Sequence, residues 1–280
     1  MIIKECIGFI LRHSPNRKLT DLLLWPVSKR LLKNYEETVS LTKGLTMHVY
    51  GDMPDMVNKT LLYSEGLDFA WEPATARLVH SLQAKRAVVA GSHIGYYPLI
   101  ITHANAEAQV FAFEPNPQNF QRLVVNKNNR IHTFDVALGD TNENKNMHFD
   151  AGQSSLVDTQ RKQNEHGEVK VVTLDTFLKE PIDLMVLDAE GYEFNILKGS
   201  KQTISEHHPD IVFEVNPSTG TSYATIKEFL APFGYIFYLI NDNYHHSLKM
   251  KNSDFEKNNI ELFKDQKIEN FVNIYATTKK

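Results

Sequence analysis

Two glycines, Gly91 and Gly95, interrupt a β-branched run in VVAGSHIGYYPLI, and a helical pattern follows. The next apolar run, VFAFEPN, ends on Glu114. Strand, glycine turn, helix and a second strand ending in an acid build a nucleoside-binding crevice in a parallel α/β sheet. The glycines let backbone approach a ligand closely, and the helix start offers unpaired N–H groups. The strand-end carboxylate can accept both hydroxyl hydrogens of a ribose. A second group of acids lies further on: Asp188, Glu190 and Glu193 in LDAEGYE, and Glu214 in VFEVNP. While backbone stays extended, residues i and i+2 point the same way, so Asp188 and Glu190 converge on one pocket. Crowded carboxylates raise one another's pKa, which makes a usable general base. Their oxygens would also suit Mg2+, but no ligand spacing singles it out and no metal is expected. The competing role for Glu190 and Glu193 is charge that complements a helix N-terminus.

The elements needed to position these residues surround them. Arg86–Ala90, Val110–Glu114, Ile131–Ala137, Leu184–Asp188, Ile211–Val215, Tyr235–Leu239 and Phe271–Thr277 read as strands, with extra strands at His148–Phe149 and Val169–Thr173. Helical spacing covers Glu72–Gln83, Tyr96–Asn105, Pro117–Asn128, a stretch from about Glu193, and Ala224–Leu230. Pro117 suits an early helical position, where its missing N–H costs little. Strands alternating with helices imply right-handed crossovers and a mostly parallel sheet. Tyr96 and Tyr97 either pack under the crevice or line it. Two polar insertions interrupt the alternation. Ala151–Glu168 lies near the crevice and is a lid candidate, with Ser154 and Ser155 as substrate contacts or solvated loop residues. Lys249–Glu269 decorates the far edge of the sheet. Leu45–Asp55 holds a short strand and a turn.

The chain has 280 residues, 42% apolar and 23% charged, enough to bury one good core. A net charge of −4 provides no global basic field, so no nucleic-acid partner is expected. The single cysteine, Cys6, excludes an intramolecular disulfide and a cysteine-rich metal site, and fits a reducing, cytoplasmic location. His207–His208 and His245–His246 are adjacent pairs without zinc-motif spacing. No apolar run reaches the roughly 18 residues of a bilayer span, and Ile7–Leu11 is too short for a signal-peptide core. The first 35 residues are basic: Lys4, Arg12, Arg17, Lys18, Lys29, Arg30 and Lys33 face only Glu5 and Asp21. With Leu22, Leu23, Leu24, Trp25, Leu31 and Leu32 they form either a peripheral contact to an anionic membrane face or a helix capping the domain. The expected division is an N-terminal extension over 1–70 and a catalytic domain over 71–280.

The ordered series GSHIGYYPLI, AFEPNPQNFQRLVVN, DVALGD, VTLDTF, DLMVLDAEGYEFNILKGS and PDIVFEVNP resembles the FkbM family of S-adenosylmethionine-dependent methyltransferases. WEP at Trp71–Pro73 resembles the usual start of that domain, and NIYAT its reversed last strand. The resemblance implies an α/β fold: a Rossmann-like class I methyltransferase sheet of seven strands with the last antiparallel, here after a helical N-terminal extension. It also assigns a site. Ala90, Gly91, Ser92 and Gly95 would hold the methionine end of S-adenosyl-L-methionine, and Glu114 the ribose. Pro115, Asn116 and Asn119 would lie beside the adenosine, and Asp135, Val136 and Ala137 would flank the adenine. Asp188 would meet the acceptor, with Asp188 or Glu190 taking the acceptor's proton and His93 as the competitor. The expected reaction is O-methylation of a hydroxyl on a sugar, glycolipid or related small-molecule or glycan acceptor. The alternatives are N-methylation of an amine, and a Rossmann-like binding module whose cofactor site has degenerated. The last follows from a departure: the family carries an acid two positions before the first glycine, where this chain has Val89.

Overall fold

A computed structural model describes residues 35–51, 55–64, 67–149, 165–217, 222–242, 260–262 and 271–279, with residues 6 and 268. The basic segment, the two lid serines and the His245–His246 pair lie outside the described residues. The chain divides into two compact units, and the described residues of the first end at Pro73 while those of the second lie within Ala74–Asp242 and Lys257–Lys280.

In the first unit, β1 (Glu36–Thr42) and β2 (Leu45–Tyr50) form an antiparallel hairpin. Val39, Leu41, Met47 and Val49 are buried while the residues between them face outward. That period of two selects strand over helix, and Gly44 at φ +82° makes the reversal. Helix α1 (Met56–Leu62) follows, capped by Asp55, whose carboxylate accepts from the Asn58 amide at 2.8 Å. The extension is therefore not helical throughout.

The second unit contains an eight-stranded sheet. Helix α2 (Pro73–Ser81) leads into β3 (Arg86–Ala90), α3 (Tyr96–Ala104), β4 (Gln109–Phe113), α4 (Pro117–Asn126) and β5 (Ile131–Phe134). After the small sheet described below come α5 (Leu174–Phe177), β9 (Leu184–Leu187), α6 (Glu193–Lys198), α7 (Lys201–His207) and β10 (Asp210–Val215). The chain ends with α8 (Tyr223–Leu230), β11 (Ile236–Ile240), β12 (Ile260–Leu262) and β13 (Val272–Thr277). The spatial order is β5-β4-β3-β9-β10-β13-β11-β12. From β5 to β10 every pairing is parallel, and β13 lies antiparallel between β10 and β11. These are the seven expected strands with the last reversed; β12 adds a short antiparallel strand at the far edge. Every residue of β9 and β10 is buried, as expected for parallel strands covered on both faces.

The Ile131–Ala137 run does not continue as one strand. β5 stops at Phe134, the last residue paired with β4, and the exposed Asp135 begins a turn. Ala137–Leu138 then forms β6 in a separate sheet, ordered β6-β8-β7, with β7 (Glu143–Phe149) and β8 (Glu165–Val172).

Candidate active site

The sheet register brings the candidate residues to one level. Ala90, the last residue of β3, pairs with Phe113 of β4 and Leu187 of β9. The next residue of each strand, Gly91, Glu114 and Asp188, therefore leaves the carboxyl edge beside the others. Leu187 also pairs with Phe213, which sets Glu214 of β10 next to Asp188. The chain runs outward from β3 in both directions, so this is the point where the strand order reverses and open α/β sheets bind ligands.

The glycine turn is tightly built. Gly91, His93 and Gly95 have φ of +77°, +49° and +104°. The amides of Gly91 and Ser92 both donate to the Phe113 carbonyl, at 3.1 and 3.0 Å. The Ser92 hydroxyl donates to the Val89 carbonyl at 2.9 Å, so it closes the turn. A Cβ on Gly91 would lie 1.7 Å from the carbonyl oxygen of Asp188; the two loops pack backbone against backbone. Asn126, at the end of α4, donates from Nδ2 to the Ile94 carbonyl at 2.9 Å. No local pattern marks that residue, since an asparagine at a helix end is commonplace. Tyr96 and Tyr97 are both buried, edge to face at 5.4 Å, and serve the core. Val89 is likewise enclosed within the sheet.

Glu114 ties two loops together. Its Oε2 accepts from the His93 amide at 2.8 Å and its Oε1 from the Asn116 amide at 2.9 Å. The Asn119 side chain bonds it as well. Burial pushes the Glu114 pKa up, while the charge of His93 and these hydrogen bonds pull it back. Asn116 caps α4, accepting from the amides of Gln118 and Asn119 at 2.9 and 3.3 Å. Asn119 is only 5% exposed, and its Oδ1 has no hydrogen-bond partner. Pro115 is half-buried between Glu114 and the cap. Beyond β5, Asp135 is exposed and Val136 and Ala137 are buried.

The acid loop departs from the expected extended form. The Asp188 amide still donates to the Ala90 carbonyl at 2.9 Å, continuing the ladder. Glu190 and Gly191 then adopt φ of +50° and +99°, which breaks the i, i+2 alignment of Asp188 with Glu190. The two acids nonetheless interact. Burial first, then the like charges of Glu190, Glu193 and Glu114, raise the Asp188 pKa well above the ordinary aspartate value. Glu193, the first residue of α6, is 1% exposed and accepts at Oε1 from the amides of Ala189 (2.9 Å) and Gly191 (3.2 Å). Among the described residues, no group of three or more His, Cys, Asp or Glu could hold a metal ion. No helix among them is long and apolar enough to cross a membrane.

Residues 90–237 match the methyltransferase FkbM domain. The hexuronic acid methyltransferase AglP of Haloferax volcanii is 28% identical over 115 residues, 39% of this chain and 47% of that protein. The chain thus spans less than half the length of that curated relative. A solved methyltransferase FkbM from Methylobacillus flagellatus KT aligns at 17% identity with a TM-score of 0.46, covering 69% of this chain and 44% of that one. TYW2 of P. horikoshii, solved in complex with MeSAdo, aligns at 12% identity and a TM-score of 0.43, covering 99% and 100%. The domain match runs from the last residue of β3 into β11 and takes in the glycine turn, the Glu114 clamp and the acid loop together: the chain belongs to the FkbM methyltransferase family.

Proposed function

We propose that this chain transfers a methyl group from S-adenosylmethionine to a hydroxyl of a sugar, glycolipid or related metabolite. The observation that carries this reading is the shared level of Gly91, Glu114 and Asp188 at the switch point of the sheet. The residues fit the cofactor. A carboxylate has about four lone-pair sites, and the protein donors to Glu114 leave room for a ribose hydroxyl. The Asn119 Oδ1, buried without a donor, is a second acceptor beside it. The turn from Ala90 to Gly95 would take the methionine end, and Asp135, Val136 and Ala137 the adenine side. The acids Asp188, Glu190 and Glu114 suit a sulfonium cation.

When bound, S-adenosylmethionine supplies an electrophilic methyl group. The chain's own task is to align the acceptor oxygen and to receive its proton. Asp188 is the first choice for that proton, because its raised pKa makes it a stronger base than a solvated aspartate. Glu190 is the second candidate and His93 the third. The sugar acceptor is suggested by the hexuronic acid methyltransferase among the relatives. The acid cluster around Asp188 favours one further reading, N-methylation of an amine that arrives protonated.

Two measurements test the proposal. Isothermal titration with S-adenosylmethionine is expected to show saturable binding; no binding at millimolar cofactor would reduce the chain to a Rossmann-like binding module. A screen with methyl-labelled cofactor and mass spectrometry, run over neutral sugars, uronic acids and amino sugars, identifies the acceptor and separates O- from N-methylation.

A further inference from the structure

We propose that Glu193 is the positioning residue of this site: its buried carboxylate braces the Asp188–Gly191 turn and holds Glu190 in a left-handed conformation at the crevice. The kinetic part of this proposal rests on the methyltransferase reading; the brace itself does not.

Left-handed backbone is disfavoured for a residue with a Cβ. Here Glu190 adopts it directly before Gly191, which is left-handed too. Such a turn persists only when its surroundings hold it. The amides on either side of Glu190, those of Ala189 and Gly191, both point at the same Glu193 oxygen. Flanking amides that converge on one anion fix a turn from within. The Tyr192 amide closes it with a bond to the Ala189 carbonyl at 3.2 Å.

A helix-dipole role does not account for this arrangement. These two Glu193 bonds run backward, to loop amides that precede α6. A charge only 1% exposed is costly unless it is hydrogen-bonded, and a solvated acid would complement the dipole at less expense. The Glu193 charge also reaches the reacting end of the loop. It acts on Asp188 together with Glu190 of the same turn and Glu114 from the end of β4. Glu214 of β10 lies beside Asp188 in the register, and His93 lies across the crevice on the glycine turn. Glu193 would thus set both the shape of the turn and the proton affinity of its first acid.

Three variants of the full chain separate reach from charge. Glu193→Ala removes both, Glu193→Gln keeps the acceptor oxygen without the charge, and Glu193→Asp keeps the charge but shortens the reach. Amide hydrogen exchange by NMR reads the brace without any acceptor. Protection at Ala189 and Gly191 is expected to fall about 10-fold or more in Glu193→Ala and Glu193→Asp, and to stay near wild type in Glu193→Gln. In the labelled-methyl assay, Glu193→Gln should move the acid limb of the kcat–pH profile to lower pH, because one charge opposing ionisation of Asp188 is gone. Glu193→Asp should lower kcat while the cofactor KM stays within about 3-fold. Unchanged protection in both Glu193→Ala and Glu193→Asp would overturn the brace. A superimposable pH profile in Glu193→Gln would overturn the effect on Asp188. Should exchange respond as expected while wild type transfers no methyl to any acceptor, the brace would stand and the methyltransferase reading would fall. If Glu193→Ala does not fold, the Asp and Gln variants decide the question.

Discussion

Asp188 and Asp242 both follow strand ends on the carboxyl edge of the sheet, and burial raises the pKa of each. Their neighbours differ. Asp242 receives donors on both oxygens: the amides of Ala74 and Thr75 at 2.8 and 3.1 Å on Oδ1, and the Thr75 hydroxyl at 2.6 Å and Asn273 Nδ2 at 3.4 Å on Oδ2. Those bonds oppose the effect of burial and pin the start of α2 to β13. Asp188 instead faces Glu190, Glu193 and Glu114, and each of them adds to the effect of burial. A carboxylate surrounded by donors is fixed as architecture. One surrounded by other carboxylates is destabilised as an anion and is thereby prepared to take a proton.

The change expected to hit hardest lies between the two loops of the site. Gly91→Ala would place a methyl group against the Asp188 carbonyl at φ +77°. The expected cost is about 3 kcal/mol or more of stability, with cofactor binding lost. Thermal unfolding and calorimetric titration check this, and normal cofactor affinity in the variant would dismiss the close-packed turn as a cofactor cradle.

Asp188→Asn should lower kcat about 100-fold to 10,000-fold. It should also stabilise the protein at neutral pH. The folded-state pKa of Asp188 is raised, so between the ordinary aspartate value and that raised value the folded state binds more protons than the unfolded state. Stability therefore falls as pH rises through that window, and asparagine removes the loss. Urea unfolding across pH should show the gain at neutral pH and its disappearance in acid. A destabilised Asp188→Asn at neutral pH would contradict the comparison with Asp242.

Asp242→Asn is the mirror experiment. Its new amide donor would face the donors of Thr75 and Asn273, and the expected loss is about 1–3 kcal/mol in urea unfolding with kcat unchanged. A fall in kcat at full folding would move Asp242 out of the architectural class. The smallest effect is expected for Glu190→Gln: a kcat reduced less than about 10-fold, with the acid limb of the profile shifted down because one charge that raises the Asp188 pKa is removed. A loss as large as that of Asp188→Asn would make Glu190 the base instead.

The legible parts of this molecule share a short range. β3, β4 and β9 each end in an unbroken apolar run, and each run is followed directly by a glycine or a carboxylate. That pattern was enough to find Gly91, Glu114 and Asp188. β1 was less visible, because ETVSLT alternates among polar residues and its buried face is only Val39 and Leu41. The break after Phe134 was hidden for a different reason: DVAL still looks like strand, but β4 has no residue left to pair with it. Glu193 looked like a helix-start acid because the left-handed turn that supplies its donors leaves only Gly191 as a local trace.

From its order of residues alone the chain determined its family, the succession of strands and helices, and the three strand-end positions that the register brings side by side. Hydrophobic period and turn chemistry act over a few residues, so they can be read in line. The tertiary structure decided which acids gained donors and which gained only other acids. Asp242 meets Thr75 from 167 residues away, whereas Asp188 meets Glu114 through the register of β3 with β4 and β9. Desolvation and charge depend on who stands nearby in space, and strand pairing across the sheet sets that.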